Sequence, residues 1–148
     1  MTQEYNELLI KDICARIPYG VKASVYSHWN ESYVDDVIVG VDIENVDFLC
    51  GTIPGGRSDI ALTRPYLIPL SSITEEQYDE LERMTLNDYM DHMRITNELR
   101  EKVDFITHWP LYSPDVIDWF NRNHFDFRGL IEMGLALKAP DGMYKQNI

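Results

Sequence analysis

Val21-Lys22-Ala23-Ser24-Val25-Tyr26-Ser27 is the stretch that decides the fold, because at Gly20 the hydrophobic period of the chain changes to two. Successive side chains of a strand point to opposite faces, so this alternation predicts a half-buried β-strand. On its N-terminal side the pattern is different. Tyr5, Leu8, Leu9, Asp12 and Ile13 recur at helical spacing, with Thr2 placed as an N-cap. Pro18 stops that helix and Tyr19-Gly20 turns the chain. The prediction is a helix over residues 1–18 followed by a β-rich part over 20–70.

On the C-terminal side of the opening strand, His28-Trp29-Asn30-Glu31-Ser32 has the chemistry of a surface loop. Tyr33 to Ile43 is rich in β-branched residues and alternates at Val37, Val39, Val41 and Ile43, with Gly40 marking a bulge or a close backbone approach. Glu44-Asn45 reverses the chain into Val46-Asp47-Phe48-Leu49-Cys50. Pro54-Gly55-Gly56-Arg57 is a turn, and Ser58 to Thr63 a further short strand. Three to five antiparallel strands follow, arranged as a meander or a small, partly closed barrel.

Arg64 to Ile73 reads as a proline-punctuated connector. Thr74 and Gln77 then form a capping box, flanked by Ile73 and Tyr78 as a hydrophobic staple. The helical pattern changes phase near Thr85-Leu86-Asn87 and runs on to about Val103. Ser113-Pro114-Asp115 starts another helix, reaching about Asn123. Asp126 is placed to cap a last helical turn ending at Gly134, and Pro140-Asp141-Gly142 turns within a tail over 135–148. The class is α+β in a single domain: an N-terminal helix, a small antiparallel sheet, and a helical part over 74–134.

A chain of 148 residues buries about 70% of its unfolded surface, enough for a core without disulfides or metals. Its 45% hydrophobic and 11% aromatic content fits a globular protein. No run of apolar residues is long enough for a membrane span, and Met1 to Glu7 lacks the basic and apolar regions of a signal peptide. A cytoplasmic location is the expectation. Cys14 and Cys50, far apart and without a CxxC pair, read as reduced thiols and not as zinc ligands.

The net charge is −12, and the acidic excess sits in two blocks. Residues 30–48 carry six acids and no base, and residues 74–104 carry ten acids and four bases. Such a surface repels nucleic-acid phosphates, which argues against direct DNA or RNA binding. The same faces suit a basic protein partner or, in a sharper form, mimicry of a polyanion.

The densest chemistry lies in Asp118 to Ile131, where His124, Asp126 and Arg128 alternate with Phe125 and Phe127 and Trp119 lies just upstream. In an extended segment the three polar side chains share one face, an acid–base pair beside an anion anchor. The competing reading makes Asp126 a cap, His124 a cationic helix end favoured by the dipole, and the phenylalanines core. Asp88, Asp91 and His92 give ligand spacing on one helix, but a metal site needs converging ligands, and His108 is the nearest other candidate. Pro54-Gly55-Gly56-Arg57 lacks the phosphate-loop lysine, and no serine has a nucleophile-elbow context. Met84, Met90 and Met93 read as core. Trp29, Trp109 and Trp119 are candidate interface anchors wherever one is exposed.

Ile13 to Lys22, Arg64 to Glu76, and Asp118 to Leu137 followed by Ala139-Pro140-Asp141-Gly142-Met143-Tyr144 together resemble an uncharacterised family of small acidic proteins from gut anaerobic bacteria and their phages or prophages. The segments cover about a third of the chain. The resemblance implies a mobile-element setting and a cytoplasmic protein, and supplies no activity. It leaves the acidic stretch Asn87 to Leu111 without a counterpart, as in a variable insertion. The function expected is that of a non-enzymatic accessory factor that binds another protein through its acidic helical face or exposed aromatics, with no cofactor, metal, membrane or direct nucleic-acid partner. The alternatives are a small hydrolase or metal-dependent enzyme centred on His124, Asp126 and Arg128, and an acidic DNA mimic.

Overall fold

The computed structural model describes residues 2–84 and 114–144. Helix α1, Gln3–Arg16, starts where the Thr2 hydroxyl accepts from Tyr5 N (3.3 Å), the cap expected from the sequence. A 3-10 turn at Ile17–Tyr19 carries Pro18, and Gly20 reverses the chain with φ of 71°. The strands follow: β1 Lys22–Ser27, β2 Ser32–Asp42, β3 Asp47–Cys50 and β4 Arg57–Asp59. Each pairs antiparallel with the next, so the expected meander is present, and the sheet is not closed into a barrel. The register shifts between Ile38 and Gly40, where a Cβ on Gly40 would lie 3.1 Å from Leu49 Cδ1; bulge and close approach coincide there.

The α+β class is as expected, with two departures. Arg64–Pro69, expected as a connector, is strand β5 beside β1. Its alternation buries Pro65 and Leu67, and this outweighs the proline signal because Pro65 needs no N–H where the ladder to β1 is only two residues long. The C-terminal stretch is less helical than predicted. Helix α2 is Glu75–Met84 and helix α3 is Pro114–Arg122. After α3 come two short strands, β6 Phe125–Asp126 and β7 Leu137–Lys138, both parallel to β5, which makes the sheet mixed. The stretch expected as a tail is instead built into the fold as far as Tyr144. Leu135, Ala136 and Ala139 are buried, and Ala139 N donates to Leu67 O at 2.8 Å.

Two apolar clusters fill the interior. Leu9 and Ile13 of α1 lie against the inward side chains Ala23, Val25, Ile38 and Phe48 of the sheet. Tyr78 and Leu81 of α2 meet Val116, Trp119 and Phe120 of α3, with Phe125 and Phe127. The capping box at the start of α2 is formed as expected, Gln77 N to Thr74 Oγ1 at 3.1 Å and Thr74 N to Gln77 Oε1 at 3.0 Å, with Ile73 and Tyr78 in one cluster. Met84, read as core, is exposed at the end of α2, and the Asp88, Asp91, His92, Met90, Met93, His108 and Trp109 readings fall outside the described residues.

Candidate functional site

Of the stretch His124 to Arg128 only Phe125–Asp126 is strand; His124, at φ 60°, and Arg128 lie outside it, and each of the three polar side chains takes a different partner. Arg128 Nη1 forms a buried ion pair with Asp12 Oδ1, and the same carboxylate accepts from Arg16 Nε (3.0 Å) and Nη2 (3.1 Å). Arg16 Nη2 also donates to Phe125 O at 2.7 Å. Both guanidiniums lie near the Phe127 ring, Arg16 at 5.7 Å and Arg128 at 4.3 Å from its centroid. Burial lowers Arg128 below the usual arginine range, and Asp12 opposes that shift. This knot clamps α1 to the segment after α3, so its charges are held inside the fold and not offered to a substrate.

Asp126 accepts from the backbone N–H of Leu130 (2.8 Å) and Ile131 (3.0 Å), so it caps a turn and not a helix. Gly134, with φ of 75°, ends that turn. Burial raises the Asp126 carboxyl, and the Ile131 and Leu130 amides pull the other way. His124 ends α3 in the left-handed region, at φ 60°. Its Nε2 lies 3.0 Å from Tyr19 O, and its ring stacks on Tyr144 at 3.7 Å between centroids. Burial, then the charge of Arg16, pushes its pKa down to about 4. The imidazole is therefore neutral near pH 7, with Nε2–H the donor to Tyr19 O; the cationic helix-end role expected for it does not arise. His124 lines an open cleft of about 1190 Å³ with Lys22, Arg122, Asp141 and Tyr144, but Asp126 and Arg128 do not line it.

Trp119 is fully buried, stacked on Phe125, with its Nε1 donating to Glu80 Oε1 at 3.2 Å. It is a core residue and not an interface anchor. Among the described residues the exposed tryptophan is Trp29, 78% exposed at the tip of the β1–β2 hairpin. The tip is held in place. Asn30 N donates to Ser27 Oγ (3.4 Å), Glu31 sits at φ 49°, and Tyr26 makes edge contacts with His28 (5.0 Å) and Tyr33 (5.3 Å).

The hairpin also carries an acidic strand. Glu31 and Asp35 are exposed, and Asp35 Oδ1 accepts from Tyr66 OH at 2.6 Å. Asp36 on the next position turns inward. Its carboxylate accepts from Thr52 N (3.0 Å), Thr52 Oγ1 (2.8 Å) and Ile53 N (2.8 Å). Burial works to raise Asp36, but these bonds and the Val37 amide outweigh it and hold the carboxyl below its usual range. His28-Trp29 is the surface loop the sequence predicts, whereas nothing local in the sequence discloses that Asp36 anchors a loop sixteen residues away.

No family model matches the chain, and neither does any curated protein or solved structure. The resemblance to small phage-associated proteins therefore rests on its three segments alone. Among the described residues, no helix is long and apolar enough to cross a membrane, and no three His, Cys, Asp or Glu side chains stand together as a metal-ligand set.

Proposed function

We propose that this protein is a non-enzymatic binding module that docks another protein through the aromatic tip of its β1–β2 hairpin. The observation that carries the reading is Trp29, 78% exposed on a tip braced by Tyr26, His28 and Tyr33. An exposed tryptophan supplies a large contact area with few rotatable bonds to immobilise, which is why tryptophan is enriched at interface hot spots. Glu31 and Asp35 beside it favour a partner with a basic surface. The enzyme alternative loses its motivation, since Asp126 is committed to two amides and Arg128 to Asp12. The polyanion mimic is weakened where Arg57 neutralises Asp42 and Asp47 on the neighbouring strands. A reducing, cytoplasmic setting belongs to the same proposal, supported by the free thiols of Cys14 and Cys50.

A photo-crosslinking residue placed at the exposed neighbouring position of Asn30, which leaves Trp29 in place, tests this directly in cells that express the protein. The expected result is one discrete adduct that is lost when Glu31→Lys is added. Adducts that are absent, or identical to those from a crosslinker at the exposed position of Glu132, overturn the reading.

A further inference from the structure

The hydrogen-bond phase of the hairpin turns outward a backbone edge of β2 that, at Tyr33 and Asp35, no strand among the described residues pairs with. Ile38 N donates to Val21 O at 3.1 Å. With the register Lys22↔Val37 through Ser27↔Ser32, hydrogen-bonded pairs fall on Ala23/Asp36, Val25/Val34 and Ser27/Ser32. The N–H and C=O groups of Tyr33, Asp35 and Val37 therefore point away from β1. Gly51 N takes Val37 O at 2.9 Å as the last rung on that side. There the chain leaves: Thr52 and Ile53 are drawn onto the Asp36 carboxylate, and β3 does not continue along β2. Among the described residues no strand pairs with the outer edge of Tyr33 and Asp35.

We infer that this edge takes an extended, basic segment of the partner protein as an added strand, antiparallel to β2 and continuing the line that β3 abandons. This deepens, and rests on, the hairpin-docking reading. In an antiparallel pair, residues directly opposite share a face. Residues of the incoming segment that bond to Tyr33 and Asp35 thus place their side chains on the outer face, the face that carries the exposed Tyr33 ring and Asp35, whose Oδ1 also accepts from Tyr66 OH across β1. That face calls for lysine or arginine at alternate positions, with Trp29 covering the end of the segment. A second copy of this chain is disfavoured as occupant, because edge-to-edge pairing sets the acidic strand, six acids and no base over residues 30–48, against itself.

The register makes the inference testable with a short peptide that alternates lysine and valine, titrated into the full chain. Binding is expected to weaken with added salt and to slow exchange of the Tyr33 and Asp35 amides at least about tenfold. N-methylation of the lysine amides, which face β2, is expected to weaken binding by about tenfold or more, and N-methylation of the valine amides to leave it unchanged. Equal effects of the two methylations, or unprotected Tyr33 and Asp35 amides, overturn strand addition. If that happens while Trp29→Ala still abolishes the crosslink formed from position 30, the edge inference falls and the docking reading stands. If Trp29→Ala changes nothing either, both fall. A concentration-dependent dimer that protects the same amides without peptide overturns the basic occupant.

Discussion

Asp12 and Arg128 form a buried ion pair across 116 positions of chain, fastening the first helix to the segment that follows α3. Removing one partner of such a pair strands the other charge in a medium that solvates it poorly. Asp12→Asn leaves both Arg16 and Arg128 without their carboxylate and is expected to cost about 3–5 kcal/mol. Urea unfolding followed by far-ultraviolet circular dichroism measures this. Replacing Asp12, Arg16 and Arg128 together by apolar residues of similar volume is expected to recover most of the loss, since no charge is then left alone.

The neutral His124 gives stability a pH slope. Its pKa is pushed from 6.5 to about 4, by burial first and then by Arg16. Between those values the unfolded chain binds a proton that the native state does not, so stability rises with pH across the window and is lost as pH falls through it. The full contribution is roughly 3 kcal/mol. Asp126, raised by burial, acts with the opposite sign at the acid end, so the readout is the difference between the native chain and His124→Gln. The variant is expected to lose the slope between pH 6.5 and pH 4.

Asp36 holds the loop that ends β3. Asp36→Ala removes a buried carboxylate and orphans the Thr52 and Ile53 amides, at an expected cost of about 2–4 kcal/mol. Hydrogen exchange is expected to speed at Gly51, Thr52 and Ile53 before it does in β1. Uniform acceleration across the sheet contradicts a local role.

The two thiols differ in setting. Burial, then Asp36 and Asp47, pushes Cys50 up to about 11, and burial raises Cys14. With roughly one thiolate in ten thousand at pH 7, native Cys50 is expected to resist a thiol-specific disulfide reagent. The half-buried Cys14 reacts first, and both react at once in urea. Simultaneous reaction in the native state contradicts this order.

What was legible in the sequence was local. Thr2, the Thr74–Gln77 box, Gly20 and Gly40 each follow from rules that act over a few residues, and the structure places them accordingly. The parts that were not legible depend on distant partners. β5 was hidden by Pro65 and Pro69, whose missing N–H groups are harmless only because of where β1, β6 and β7 lie. The polar face at His124, Asp126 and Arg128 resembles a site until Asp12, Tyr19 and the Leu130 amide are seen to claim its members one by one. The loop at His28-Trp29 could be named as a surface loop, but the exposure of Trp29 against the burial of Trp119 follows only from packing.

The most direct test of hairpin docking is to compare Trp29→Ala with the double charge reversal Glu75→Lys and Glu76→Lys on α2. The affinity of each variant for the partner crosslinked from position 30 is measured at one salt concentration. The account predicts that Trp29→Ala weakens binding about thirtyfold, the size of a 2 kcal/mol hot spot, with circular dichroism unchanged. The α2 reversal is expected to leave affinity within about threefold. Unchanged affinity in Trp29→Ala, with the loss falling on the α2 variant, contradicts it and moves the interface to the acidic helix.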